Sequence, residues 1–397
     1  MIPRFIFNKL RDELKRPEIN ILLGPRQVGK TTLLRQLEEY AISRGSKTAF
    51  FDLEQPSTLA EFNLPDRRII EKITAAGDVV FIDEFHYLQN ASKIFKAVFD
   101  SGAGTKIVCS GSSSLEIHKH LKESLAGRRF LWRVFPLQWG EWRAADKDFS
   151  LDTYLRYGGM PGLSHAADDS RKQRLLAELL SAYILKDVKS LVKEENIRAF
   201  NHLLYLLAEH QGSLVSAASL SGQIHLSVKA VNHYLSILEE TYVNFPVYSY
   251  SRNLGNELKK STKNYFYDLG IRNAILKDFS APAGRPDKGL LLESYVLLKL
   301  KAHPAPNRDI KFWRTRDGAE VDFILIEDRR PIPIEVKSAL TQPEIPSGLK
   351  RFLARYPDVE RAYVVNPSIS TTRRFQDSEI VFLTFPEFEE NPPLSRL

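Results

Sequence analysis

The chain has 397 residues, 43% hydrophobic and 26% charged with a formal charge of +7, a length that allows roughly two to four domains with cores of their own. No apolar run approaches the roughly 20 residues of a membrane helix, and the start, Met1 to Leu14, is broken by Arg4, Lys9, Arg11 and Asp12, so a helical membrane span is excluded and a cytoplasmic location expected. The single cysteine, Cys109, excludes internal disulfides and cysteine-based zinc sites, and its setting in the apolar stretch Lys106-Ile107-Val108-Cys109 predicts a packing role.

In chain order, the first element is the apolar run Ile19 to Leu23, a predicted strand. It leads directly into Gly24-Pro25-Arg26-Gln27-Val28-Gly29-Lys30-Thr31, which matches the phosphate-binding pattern G-x-x-x-x-G-K-[ST]. The two glycines let the backbone curl so that successive N–H groups point inward around phosphates. Lys30 reaches the outer phosphates, the Thr31 hydroxyl can hold Mg2+, and Thr32 completes the predicted nucleotide-binding stretch. Thr31 to Tyr40 reads as a helix with Leu33, Leu34 and Leu37 inward, so its positive N-terminal end faces the phosphates.

Val79 to Ile82 reads as a strand buried on both faces of a parallel sheet, and it ends in Asp83-Glu84. Carboxylates at that end of a strand sit where open α/β sheets bind ligands. Asp83 is placed to hold Mg2+ through water, and Glu84 to orient or deprotonate the attacking water. A helix over Ser92 to Phe99 and a strand ending at Cys109 follow. The polar cluster Ser110-Gly111-Ser112-Ser113-Ser114 can face the γ-phosphate or cap the next predicted helix, Leu115 to Lys122. Leu125-Ala126-Gly127-Arg128-Arg129 then leads to a strand, Phe130 to Val134.

These motifs, with Gly158-Gly159-Met160-Pro161-Gly162 further on, resemble the AAA+ ATPases of bacteria and archaea that carry a DUF4143 C-terminal region. The resemblance spans nearly the whole chain and implies ATP and Mg2+ as cofactors. It implies a first-sensor role for Ser110 or Ser112, and a place near the base for Pro161 in a helical lid after the core. It also implies that Arg128 can act across a subunit interface as a finger on the γ-phosphate, in a homo-oligomer; binding to DNA or to a local carboxylate is the other reading of Arg128.

The basic residues concentrate between about Lys119 and Lys277, including Arg128, Arg129, Arg133, Lys186, Lys189, Lys193, Lys259, Lys260 and Lys263. Such a field favours phosphate backbones. Within it, Ile197 to Glu209, Ser216 to Ser221 and Ser227 to Glu240 read as helix, short helix and helix. Val228, Val231, Leu235 and Leu238 form the expected inner face of the last, and Ser227 its cap. Tyr242 to Val247 and Asn264 to Tyr267 read as a strand hairpin. The order is that of a winged helix-turn-helix whose third helix presents Lys229, Asn232, His233 and Ser236, and the expected partner is DNA, with a protein partner as the alternative.

Ala281-Pro282-Ala283-Gly284-Arg285-Pro286 reads as a linker. Gly289 to Ala302 is a predicted helix carrying Glu293, followed by strands over Ile310 to Arg314, Val321 to Ile326 and Ile332 to Lys337. The last two flank a tight turn, Glu327 to Pro331, so Asp322 and Glu335 should lie opposite each other, with Lys337 on the face of Glu335. A helix over Leu349 to Tyr356 and a strand over Ala362 to Val365 complete the order. Asp322 with Glu335-Val336-Lys337, and Glu293 upstream, resembles the PD-(D/E)xK nuclease signature. The resemblance implies Mg2+ held by Asp322 and Glu335 with Glu293 as a further ligand, and Lys337 neutralising developing charge; the residue pattern alone also fits a surface hairpin with an ion pair.

The expected class is α/β: a P-loop AAA+ core (1–143), a helical lid (144–195), a winged helix-turn-helix (196–277), a linker (278–287) and a restriction-endonuclease-like α/β domain (288–397). The expected function is a Mg2+-dependent ATPase that engages DNA, with a metal-dependent C-terminal nuclease activity. The competing expectation is a nucleotide-switched interaction protein whose nuclease-like domain only binds.

Overall fold

The computed structural model describes residues 2–112, 125–182, 197–252 and 262–394. The chain divides into two compact units. One comprises Met1–Leu137, Met160–Ser164 and Glu240–Tyr242; the other comprises Gln138–Gly159, His165–Glu239 and Val243–Leu397. The fold is mixed α/β, with a parallel sheet of the P-loop type in the first unit and a mixed sheet near the C-terminus.

In the first unit, β1 (Ile19–Gly24), β2 (Thr48–Asp52), β3 (Val79–Asp83), β4 (Lys106–Ser112) and β5 (Arg129–Arg133) form one sheet in the order β2-β3-β4-β1-β5. All its pairings are parallel. The interior strands β1 and β3 are buried along their whole length, which is why each reads as an unbroken apolar run rather than an alternation. At the end of β1, Gly24 leaves no room for a side chain: a Cβ there would stand 2.3 Å from the Val134 carbonyl oxygen. The helix Lys30–Ser43 buries Leu33, Leu34, Leu37 and Ala41 on one stripe. Cys109 is fully buried in β4, and burial pushes its thiol well above the usual range, as an inert packing residue requires.

The second unit holds two sheets. β6 (Leu214–Val215), β7 (Asn244–Val247) and β8 (Thr262–Phe266) form an antiparallel sheet in the order β6-β8-β7. Three helices accompany it, Ile197–Glu209, Ala217–Ile224 and Val228–Glu240. The last is capped by Ser227, whose Oγ accepts the Ala230 N–H at 3.2 Å. Its inner face is Val231, Tyr234, Ile237 and Leu238, not the expected Val228 and Leu235; Val228 is 43% exposed. Tyr234 is buried where Leu235 is only partly so.

β9 (Arg308–Arg314), β10 (Glu320–Glu327), β11 (Arg330–Val336), β12 (Arg361–Asn366), β13 (Thr371–Phe375) and β14 (Ser378–Thr384) form the larger sheet, ordered β13-β14-β12-β11-β10-β9. β11, β12 and β14 run parallel to one another, whereas β13, β10 and β9 join antiparallel. Asp328 and Arg329 both have positive φ, 50° and 66°, between the paired Glu327 and Arg330. This is the two-residue primed turn that matches strand twist. The helix Ser347–Arg355 closes one face with Leu349, Phe352 and Leu353 against Trp313, Val321, Ile324 and Val364. The segment expected to be a linker, 281–286, is pinned: Arg285 is 6% exposed and donates to Asp287 and Asn273.

Candidate active site and a carboxylate cluster

The phosphate loop sits between the end of β1 and the start of the helix Lys30–Ser43. Gln27 and Gly29 both take positive φ, 60° and 87°, the alternation that turns backbone N–H groups inward. Val28 is fully buried and anchors the loop, while Arg26 and Gln27 are exposed. Lys30 is 5% exposed, and its Nζ donates to the carbonyls of Gly24 at 3.0 Å and Pro25 at 2.8 Å. Burial lowers its pKa, and the nearby Glu84 and Asp83 oppose that shift. Thr31 and Thr32 are exposed at the positive end of the helix.

The order β3-β4-β1 sets β4 between the loop strand and the acidic strand. Ser110 on β4 is therefore level with Leu22 of β1, and its hydroxyl donates to Asp83 Oδ1 at the end of β3. Asp83 is 3% exposed. Its Oδ1 also accepts the Glu84 N–H at 3.1 Å, and the same N–H is 3.4 Å from Ser110 Oγ. Glu84 takes φ 50° and ψ 48°, a left-handed conformation uncommon for non-glycine residues. Its Oε2 lies 3.1 Å from His86 Nδ1. The expected phosphate residues and the acidic pair thus converge on one end of the sheet. Ser112 lies on the same strand, and Ser113, Ser114 and the helix expected over 115–122 fall outside the described residues.

One residue at the loop, Arg4, belongs to no motif. Arg4 Nη1 donates to the Val28 carbonyl at 2.8 Å and Nη2 to the Phe135 carbonyl at 2.7 Å, bracing the loop from outside. A Cβ added at Gly29 would stand 3.5 Å from Arg4 Nη1 and 3.8 Å from Pro161 Cγ. Pro161 is thus a neighbour of the loop. No local pattern marks Arg4, and only the sequence neighbourhood of Glu84 could have drawn attention to His86.

Arg128 lies elsewhere. β5 pairs with β1 in the register Ile19 to Arg129, so Arg128 is at the opposite edge of the sheet from Gly24, a strand length of about 16–20 Å at the usual rise. It does not serve its own chain's phosphates. Its guanidinium instead grips Asp100 with both arms, Nε to Oδ1 at 2.7 Å and Nη2 to Oδ2 at 3.2 Å, and that pairing holds the Asp100 carboxyl below its ordinary range.

In the second unit, a group of carboxylates gathers where β10 and β11 meet the helix Lys288–Lys301. The pairing of Phe323 with Ile334 puts Asp322 opposite Glu335, as the turn symmetry predicts. The β9 to β10 register shifts between Val321 and Ile324, an irregularity of the kind that re-aims side chains. Asp322 and Glu335 are 8% and 5% exposed. Asp322 Oδ2 accepts the Val336 N–H at 2.8 Å, Glu335 Oε2 is 3.4 Å from the Asp322 N–H, and Lys337 Nζ donates to Glu335 Oε1 at 2.7 Å. Glu293 is 16% exposed and its Oε2 makes no hydrogen bond. Burial and the neighbouring carboxylates push Glu293 and Glu335 up to about 8 and raise Asp322 as well.

Lys263 and Glu320 complete the group; no sequence pattern marks Glu320. Lys263, expected in the phosphate-binding basic field, is instead 3% exposed; its Nζ pairs with Glu320 Oε1 and lies 4.0 Å from Glu293 Oε2. Its ammonium is covered by Glu293, Glu320 and the Phe312 ring, and so does not face a nucleic acid. Among the described residues, no three His, Cys, Asp or Glu side chains stand so as to hold a metal ion. With Lys263 paired to Glu320 and Lys337 to Glu335, the cluster as arranged already carries cations of its own chain and does not fit the divalent cation that the nuclease signature implies. Lys186, Lys189, Lys193, Lys259 and Lys260 fall outside the described residues, and no described helix is long and apolar enough to cross a membrane.

Residues 16–142 match the family described as AAA domain, 148–281 a domain of unknown function, DUF8612, and 288–388 another, DUF4143. An uncharacterized protein of Mycobacterium tuberculosis is 26% identical over 348 residues, covering 87% of this chain and 76% of that protein. One from Haemophilus influenzae is 25% identical over 332 residues, 77% of this chain and 79% of its own. Among solved structures, the replication initiator DnaA bound to AMPPCP and single-stranded DNA aligns with a TM-score of 0.31 at 14% identity, over 60% of this chain and 90% of that one. Cdc6p from Pyrobaculum aerophilum aligns with a TM-score of 0.27 at 12% identity, over 70% and 95%. The chain thus carries an AAA domain at residues 16–142, which holds the phosphate loop and the acidic strand, and a DUF4143 region at 288–388.

Proposed function

We propose that this chain hydrolyses ATP with Mg2+ and uses its nucleotide state to control engagement with DNA. The supporting observation is the convergence of Lys30, Asp83, Ser110 and Glu84 on one end of the parallel sheet. A γ-phosphate offers Lys30 a charged acceptor in place of two neutral carbonyls, a stronger bond for the same ammonium. Thr31 and Asp83, a hydroxyl and a carboxylate, are the hard oxygen donors that suit Mg2+. When bound, that ion would neutralise phosphate charge. Glu84, fixed by its backbone N–H to Asp83 and beside His86, is the group placed to orient and deprotonate water.

Engagement with DNA rests on residues 197–266. The order of three helices and a strand hairpin is that of a winged helix-turn-helix, and Lys229, Asn232, His233 and Ser236 are all exposed on the helix Val228–Glu240. A protein partner is the second reading, favoured by the exposed apolar side chains of Tyr205, Leu214, Val228 and Tyr248 in the same region. The test is the rate of ATP hydrolysis by the full chain with and without DNA, alongside DNA binding at rising salt. Hydrolysis that is absent in the wild type, or unchanged in Glu84→Gln, rejects the ATPase assignment. DNA binding that is absent or insensitive to salt leaves the protein partner as the reading.

A further inference from the structure

We propose that the Lys263 ammonium takes the place of a divalent cation in the carboxylate cluster, making it a metal-free clamp between β8 and the C-terminal sheet. The inference does not depend on whether residues 197–266 contact DNA. Four carboxylates are brought together from three elements: Glu293 from the helix Lys288–Lys301, Glu320 and Asp322 from β10, and Glu335 from β11. Carboxylates gathered away from water repel one another and lose hydration, so such a group needs counter-charge. A fold can recruit a metal, or it can supply its own cations.

Here the chain supplies them. Lys263 Nζ pairs with Glu320 Oε1 and faces Glu293 Oε2 at 4.0 Å. Arg314 Nη1 takes the other oxygen of Glu320 at 2.7 Å, and Lys337 Nζ takes Glu335 Oε1 at 2.7 Å. Asp322 Oδ2 is occupied by the Val336 N–H. Three cations thus stand against four carboxylates, Lys263, Arg314 and Lys337 facing Glu293, Glu320, Asp322 and Glu335. Lys263 keeps its charge because Glu293, Asp322 and Glu320 together outweigh the burial that would remove it.

The position of Lys263 argues for permanence. It is 3% exposed on β8, the middle strand of its sheet, and its ammonium also lies 5.6 Å from the Phe312 ring centre on β9. The backbone ties the same two sheets nearby, where the Phe312 N–H donates to Tyr248 O at 3.0 Å and the Tyr250 N–H to Phe312 O at 2.6 Å. A lysine held this way cannot swing into solvent to admit a metal without separating the sheets. The clamp reading therefore accounts for both the nuclease-like carboxylates and the absence, among the described residues, of a metal-holding trio.

The test uses the full chain without nucleotide and Mn2+ as the probe, with binding followed by the free-ion spin-resonance signal and the unfolding midpoint by circular dichroism. In the wild type, Asp322→Asn should leave Mn2+ binding unchanged. Lys263→Met should lower the midpoint and create Mn2+ binding at least about tenfold tighter than in the wild type, with the midpoint restored by Mn2+ and the new binding abolished by adding Asp322→Asn. Wild-type Mn2+ binding that Asp322→Asn or Glu335→Gln removes overturns the proposal. So does a folded Lys263→Met protein that gains no Mn2+ response. Should that variant not fold, the wild-type comparison still decides.

Discussion

Ser110 on β4 donates its hydroxyl to Asp83 Oδ1 at the end of β3, in a fully buried contact between neighbouring strands. The same oxygen accepts the Glu84 N–H, so one serine helps fix the Asp83 side chain and the Glu84 backbone. Ser110→Ala should destabilise the protein by about 1–3 kcal/mol, the usual consequence of leaving a buried polar partner unpaired. Hydrolysis should fall more than ATP affinity, because Asp83 and Glu84 lose position while the phosphate loop stays whole. Urea unfolding and ATP turnover measured together check both; a fall in affinity alone would contradict the assigned geometry.

Lys30 and Glu84 should separate binding from chemistry. Lys30→Ala removes the only ammonium buried in the loop and should abolish turnover and weaken ATP binding. Glu84→Gln keeps size and hydrogen bonding but cannot take a proton, so it should bind ATP normally and turn over roughly 100-fold or more slowly. Fluorescent-nucleotide titration and steady-state turnover distinguish them. Loss of ATP binding in Glu84→Gln would mean that this carboxylate holds the nucleotide instead.

The parts of this architecture legible in the sequence are those whose partners are close along the chain. Gly24 to Thr31 form their loop from consecutive residues, and Asp322 meets Glu335 because a two-residue turn at Asp328 and Arg329 fixes the register between them. Arg4 reaches the loop from outside the motif, and no short-range pattern announces that. Lys263 reads as one more surface cation because its burial depends on the distant Phe312 ring and carboxylates. β13 is not legible for a different reason: four of its five residues are exposed, so it lacks the apolar alternation that marks a strand, and its hairpin with β14 carries no local signal.

Stability should fall as pH rises from about 5 to 8 in metal-free solution. Glu293 and Glu335 have folded-state pKa values raised to about 8, whereas an unfolded glutamate titrates near 4.3. Between those values the folded state holds more protons than the unfolded state, so each rise in pH favours unfolding. The two groups share a cluster, and the combined loss should be on the order of a few kcal/mol. Urea midpoints at several pH values test this. Glu293→Gln should flatten the dependence, and an equally steep slope in that variant would place the titration elsewhere.

Arg128 calls for a concentration test. In an isolated chain it faces Asp100 and the edge of the sheet away from the loop, so Arg128→Ala should leave turnover within about twofold at dilution. A finger contributes roughly 1,000-fold or more when it reaches a γ-phosphate. If turnover of the wild type rises with protein concentration, the rise should vanish in Arg128→Ala and return on mixing with Glu84→Gln, which supplies the arginine to a neighbour. Turnover that falls equally at every concentration would point to a structural role for the Asp100 pair instead.

The exposed face of the helix Val228–Glu240 gives the sharpest separation between the two partner classes. Lys229 is its only cation in the set Lys229, Asn232, His233 and Ser236, and all four are exposed. If it contacts a phosphate, Lys229→Ala should weaken DNA binding similarly for unrelated sequences and reduce the slope of log affinity against log salt by about 1. Asn232→Ala removes a side chain able to read base edges, so it should weaken binding to one sequence more than to another. Fluorescence anisotropy with two unrelated duplexes at several salt concentrations measures both effects. Val228→Asp provides the counter-test, because an apolar protein contact made by the exposed Val228 would be lost while a phosphate contact one residue away would weaken only through added negative charge, an effect that rising salt should screen. A loss that persists at high salt would assign this face to a protein.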